Sequence, residues 1–231
     1  MTERSDDGGS RGPNPPAERR SAERGGSFLD DFATSVLAVV GIGVLLFAIS
    51  GVWPPMVAIE SGSMEPNIEV GDLVFVMEEE RFPSDHAVAG TGVATVYSSN
   101  QSDYRSFDRP GDVIVYKPDG SERATPVIHR AQFYVEAGEN WYDEAKAKHL
   151  PEGVDSCAEL RYCPAEHGGF ITRGDNPATN MMYDQVQGIS KPVRPAWVIG
   201  TAEFRLPGLG WLRLSLQSTP VGTTDAVAAA V

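Results

Sequence analysis

Residues 32–53, FATSVLAVVGIGVLLFAISGVW, carry no charged side chain. Wound as a helix they run roughly 33 Å, about the thickness of a bilayer's hydrocarbon core. A buried core helix is usually shorter and keeps a polar face. A secretory signal has a shorter apolar run and a small-x-small cleavage site before a polar start, and neither is found here. The expectation is a retained transmembrane anchor over 28–54. Whatever chemistry the chain performs is then done beside a membrane.

The flanks give an orientation. Arg4, Arg11, Arg19, Arg20 and Arg24 precede the span, and no Lys or Arg follows it until Arg81. Basic flanks stay on the cytoplasmic side. The expected topology is a single pass of the cell membrane, N-terminus cytoplasmic, with residues 55–218 outside. Residues 1–27 are rich in Gly, Pro, Ser and Arg and have almost nothing to bury, so a disordered cytoplasmic tail is expected. Residues 219–231 are read as a C-terminal tail; their AVAAAV is too short to cross a bilayer.

Over 231 residues the net charge is -13. Phosphate backbones need clustered Lys and Arg, so no nucleic-acid partner is expected. Only Lys117, Lys146, Lys148 and Lys191 stand among the 19 basic residues. That acidic, Lys-poor composition looks like the proteins of salt-loving archaea, in which concentrated salt screens self-repulsion. Cys157 and Cys163 lie in the part expected outside the cytoplasm, where a disulfide can form. Two free thiols are the alternative, and a metal site with His167 lacks a fourth ligand.

Beyond the span the chain reads as a mostly β domain. GDLVFVM (71–77) and GDVIVYK (111–117) each set a Gly-Asp turn before a β-rich run. PVIHRAQFYVE (126–136), GGFITRGD (168–175) and WVIGTAEFRL (197–206) are three further strands. Residues 79–110 and 137–167, rich in Ser, Asp, Glu and Gly, read as insertions on that frame.

The segment ESGSMEPNIEVGDLVFV (60–76) puts Ser61 and Ser63 in a turn about ten residues after the span. A hydroxyl attacks at neutral pH only when a base takes its proton. His86, His149 and His167 lie in loop-like sequence, whereas His129 sits in a strand pattern. None of the four lysines occupies the His129 position, which disfavours a Ser-Lys pair. A carboxylate would orient the imidazole. Asp175, in the Gly-Asp-Asn turn of TRGDNPATN, is the first choice and Asp184 in MMYDQ the second. Asp72 and Asp112 read as turn formers.

Four blocks in order behind one span carry a resemblance: SGSMEP, VGDLVFV, PGDVIVYK with VIHR, and ITRGDNPATN. Together they resemble the membrane-bound type I signal peptidases, in the archaeal and endoplasmic-reticulum branch, which has histidine where the bacterial branch has lysine. The resemblance runs from about residue 32 to 211. It implies a signal-peptidase-like β domain with an N-terminal transmembrane helix, acting as a serine endopeptidase on signal peptides. Ser63 would be the nucleophile, His129 the base, Asp175 or Asp184 the orienting acid, and Ser61 an oxyanion donor or merely a turn hydroxyl. Met64 and the strand Leu73, Val74, Phe75 and Val76 would line the substrate. The implied partners are signal-bearing precursors, the lipid bilayer and the protein-export channel. No metal or organic cofactor is implied. One departure stands out. Where the eukaryotic form of the last box often has paired acids, this chain has Asn180 and Met181, which leaves the third catalytic group open. The competing readings are a protease of this fold acting on another surface precursor, and a non-catalytic extracellular β module.

Overall fold

The computed structural model describes residues 18–217, with side chains over 28–215. The described residues divide into two compact units between Leu45 and Leu46. Helix α1 (Glu18–Ser50) runs through the boundary. Its stretch Phe28–Ser50 is 23 residues long and apolar, the one described helix suited by length and composition to cross a membrane. Its apolar side chains face outward, with Leu37 and Val39 about 70% exposed. Such a bare apolar surface calls for a lipid or protein covering. The helix starts earlier than expected. Residues 18–27, read as part of a disordered tail, are helical, because ERRSAER is made of good helix formers. The rest of that tail, 1–17, and the C-terminal 219–231 lie outside the described residues.

The helix stops at Gly51, whose φ of +77° suits a left-handed cap, and the Gly51 N–H donates to Phe47 O at 2.8 Å. Ser50 is fully buried and gives its hydroxyl to Val76 O at 2.7 Å.

The larger unit is built on one antiparallel sheet of six strands: β1 (Met56–Ala58), β2 (Leu73–Met77), β3 (Val113–Tyr116), β4 (Val127–Val135), β5 (Gly169–Arg173) and β6 (Val198–Leu206). Their order across the sheet is β1-β2-β6-β3-β4-β5. Five of the six coincide with the strands expected from the sequence. The sixth, β1, is three residues long and follows two prolines, so no alternation was there to read. It forms one edge of the sheet.

The Gly-Asp turns work as strand starters. Asp72 accepts the Glu69 N–H at 2.9 Å and Asp112 accepts the Ala94 N–H at 2.7 Å. Under the sheet, Ile59, Met64, Ile68, Val74, Val113 and Ala202 form a closed cluster. A second cluster joins Phe133 and Ile171 to Trp141, Leu160 and Tyr183. The 137–167 segment thus adds a core of its own. Cys157 and Cys163 are joined in a disulfide within it.

Candidate active site

Ser63 occupies a single 3-10 turn, Gly62–Met64, between β1 and β2. The turn is pinned from below by Met64, which is fully buried in the first cluster. Met64 therefore belongs to the core and does not reach a substrate, as had been expected of it. Truncating such a methionine to alanine costs about 2–5 kcal/mol. Ser63 itself stays partly exposed, with its Oγ 3.3 Å from Ser61 Oγ. The Ser63 N–H donates to no backbone carbonyl among the described residues, as expected near a helix start.

The Gly-Asp-Asn turn at the end of β5 clamps this turn. The Asn176 N–H donates to Ser63 O at 2.9 Å, and its side-chain Nδ2 donates to Gly62 O at 2.7 Å. Gly174 has no room for a side chain: a Cβ there would lie 2.5 Å from Ser63 O.

Asp175 is turned away from the histidine. Its carboxylate takes Arg130 Nε at 2.9 Å and Nη2 at 2.6 Å, and Asn67 Nδ2 at 2.8 Å. Burial pushes the Asp175 carboxyl up, but the Arg130 guanidinium and the Asn67 amide outweigh it and hold the group below the usual 3.8. Arg130 in turn donates to Ser106 O at 2.8 Å and Gly111 O at 2.5 Å. This is a buried ion pair joining β4 to the Gly-Asp-Asn turn that holds the Ser63 turn.

The bond expected of Asp175 is made by Asp184. Its Oδ2 lies 2.7 Å from His129 Nδ1. A carboxylate only accepts, so Nδ1 carries the proton and Nε2 is left as the basic nitrogen. The same oxygen accepts Tyr116 OH at 2.9 Å and Thr172 Oγ1 at 2.7 Å. Burial, and then the Asp184 charge, push the Tyr116 phenol well above its usual range, so it stays a donor. Strand pairing brings these groups together: His129 stands opposite Ile114 on β3, and Thr172 opposite Ala131. Asp184 opens the short helix α3 (Asp184–Gln187) and is fully buried. The sequence signal for it was faint, an aspartate behind a buried tyrosine rather than in a Gly-Asp turn.

Ser61, Ser63 and His129 open onto one cavity of about 670 Å³, otherwise mostly apolar. No hydrogen bond joins Ser63 to His129 in this structure; catalytic bonds of this kind often tighten only with substrate in place. The wall is not where it was expected. Val74, Phe75 and Val76 are buried and Leu73 is half-buried. β2 is paired on both sides, by β1 and β6, which leaves it no edge for an added strand. The cavity is lined instead by Val57 and Ile59 from β1 and its end, and by Val127 and Ile128 leading into His129. Among the described residues, no group of three His, Cys, Asp or Glu side chains is arranged to hold a metal ion.

No family model matches the chain. Among curated proteins it is similar to the signal peptidase complex catalytic subunit SEC11 of Eremothecium gossypii, 24% identical over 162 residues, which is 69% of this chain. The match spans 64% of that relative, just under two thirds of its length.

Proposed function

We propose, for a chain whose kinship lies with the type I signal peptidases of the archaeal and endoplasmic-reticulum branch, that it is a membrane-anchored serine endopeptidase removing signal peptides from exported precursors. The observation that carries this reading is the 2.7 Å bond from His129 to buried Asp184, beside Ser63 in a shared cavity.

In the proposed mechanism His129 Nε2 takes the Ser63 hydroxyl proton as Oγ attacks the scissile carbonyl. Asp184 keeps the tautomer and stabilises the imidazolium that forms. The carbonyl oxygen becomes an oxyanion, and Ser61 Oγ and the Ser63 N–H are its donors. His129 then gives the proton to the leaving amine, and the signal-peptide end remains as an acyl ester on Ser63. Water, deprotonated by His129, hydrolyses that ester and frees the enzyme.

The precursor would bind extended along edge strand β1, displacing the Arg213 Nη1 bond to Met56 O, with side chains before the cut entering the cavity lined by Val57, Ile59 and Ile128. Small residues before the cut, as in A-x-A, fit that arrangement. The uncovered apolar face of Phe28–Ser50 supports a bilayer anchor. The Arg-rich flank supports a cytoplasmic N-terminus, and the Cys157–Cys163 disulfide supports a catalytic unit outside the cell membrane. The export channel is the proposed neighbour, because precursors emerge there. The acidic surface supports work in high salt.

The test is cleavage of a signal-bearing precursor by the full chain in detergent. Release of the mature protein by the wild type, abolished in Ser63→Ala, is expected. Undiminished cleavage by Ser63→Ala would overturn the reading.

A further inference from the structure

We infer that the 137–167 segment is a clamp that holds Asp184 against His129, and that Tyr183 is the positioning residue it grips. The inference rests on the reading of Asp184 as the residue that orients His129.

Asp184 needs outside support. It begins a helix of only four residues, which has no stability of its own. Its second carboxylate oxygen, Oδ1, is buried without a hydrogen-bond partner, a costly arrangement. The residue just before it, Tyr183, is 1% exposed and boxed by three rings. Phe133, on the same strand as His129, meets it edge-on at 5.7 Å. Trp141 and His149, both from the 137–167 segment, stand at 6.4 Å and 5.4 Å.

Polar bonds from the same segment hold the ring's hydroxyl and the backbone leading into it. The Lys146 N–H donates to the Tyr183 hydroxyl at 3.1 Å. The Tyr183 N–H donates to His149 O at 3.3 Å, and His149 Nδ1–H donates to Met181 O at 2.7 Å. The disulfide loop completes the box. It carries Leu160 into the cluster, and Tyr162 O accepts the Trp141 indole N–H at 2.8 Å. Cys157 and Cys163 are six residues apart, so their bond fixes this loop and, through Trp141, the wall against Tyr183. A displacement of about 1 Å at a catalytic group can cost on the order of 100-fold in rate.

The experiment measures kcat and KM on a signal-bearing precursor with the full chain in detergent. The variants are Tyr183→Ala, Tyr183→Phe and the Cys157→Ser, Cys163→Ser pair, each alone and combined with Asp184→Ala. Tyr183→Ala is expected to lower kcat by about 100-fold and the cysteine pair by about 10-fold, with KM within about threefold. Tyr183→Phe keeps the ring and restores most of the rate. On the Asp184→Ala background the same changes cost less than about twofold, since the group they position is gone. Losses that persist at full size on that background would overturn the clamp. So would unchanged kcat in Tyr183→Ala and the cysteine pair beside an inactive Asp184→Ala. Should Tyr183→Ala fail to fold, the cysteine pair decides by the same criteria. A fully active Asp184→Ala would instead remove the assignment of Asp184 on which the clamp depends.

Discussion

Asp184 Oδ2 lies 2.7 Å from His129 Nδ1, whereas the next residue along the same strand, Arg130, takes Asp175 at 2.6 Å. Neighbours on a strand face opposite ways. β4 therefore holds two buried acid-base pairs back to back: one proposed for chemistry, the other fastening the turn that carries Ser63. Both aspartates matter in this account, and their loss is expected to show in different measurements.

Asp175 should govern acid stability. Its carboxyl is held below the ordinary aspartate value, so the unfolded chain binds its proton first. The stabilisation is complete above about pH 4 and is lost as pH falls through the depressed value. Asp175→Asn leaves buried Arg130 without its counter-charge and is expected to cost about 3–5 kcal/mol at neutral pH. Thermal melts from about pH 6 to about pH 2.5 should show a steep acid decline in the wild type and a shallower one in Asp175→Asn. Equal slopes would contradict this role.

Gly174→Ala should disturb the turn that carries Ser63 by pressing on its backbone. The added methyl would meet Ser63 O at 2.5 Å and the Asn180 amide carbon at 2.7 Å. Overpacking of this kind costs about 1–3 kcal/mol, and the displaced Ser63 should lower kcat as well. Differential scanning calorimetry and single-turnover cleavage read the two effects. A variant with wild-type melting and rate would contradict the clamp from the Gly-Asp-Asn turn.

Ser61→Ala separates an oxyanion donor from a turn hydroxyl. Ser61 is exposed, and its Oγ bonds to Ser63 Oγ at 3.3 Å. Loss of an oxyanion donor costs about 100-fold in kcat with little change in KM. A turn hydroxyl would change melting and leave kcat alone. Steady-state cleavage at saturating precursor distinguishes them.

Much of this fold was legible because its strands are written locally. GDLVFV and GDVIVYK pair a turn residue with a β-rich run, and both become strands beginning just after the turn. β1 was not legible, since three residues after two prolines form a strand only by pairing with β2. Ser63 stood out by the SGSMEP block just after the span, and His129 as the one histidine of four in a strand pattern. Asp175 drew the eye for its turn. Which aspartate meets His129, however, depends on which face of β4 each side chain takes and on the long return of the chain to residue 184. The same is true of Met64 and of Leu73 to Val76. Their apolar character suited a groove and a core equally; the packing of Met64 into the first cluster and the pairing of β2 on both sides decided between them. The aromatic residues of 137–167 carried no local sign that they would pack around Tyr183.

The most direct measurement compares Asp184→Asn with Asp175→Asn in precursor cleavage, with each rate normalised to the folded fraction. With Asp184 as the orienting acid, Asp184→Asn should lower kcat by about 10³–10⁴-fold at nearly unchanged KM, because the imidazole loses both its tautomer and its counter-charge. Asp175→Asn, once corrected for its lost stability, should stay within about tenfold of wild type. An active Asp184→Asn beside a catalytically dead but folded Asp175→Asn would contradict the account.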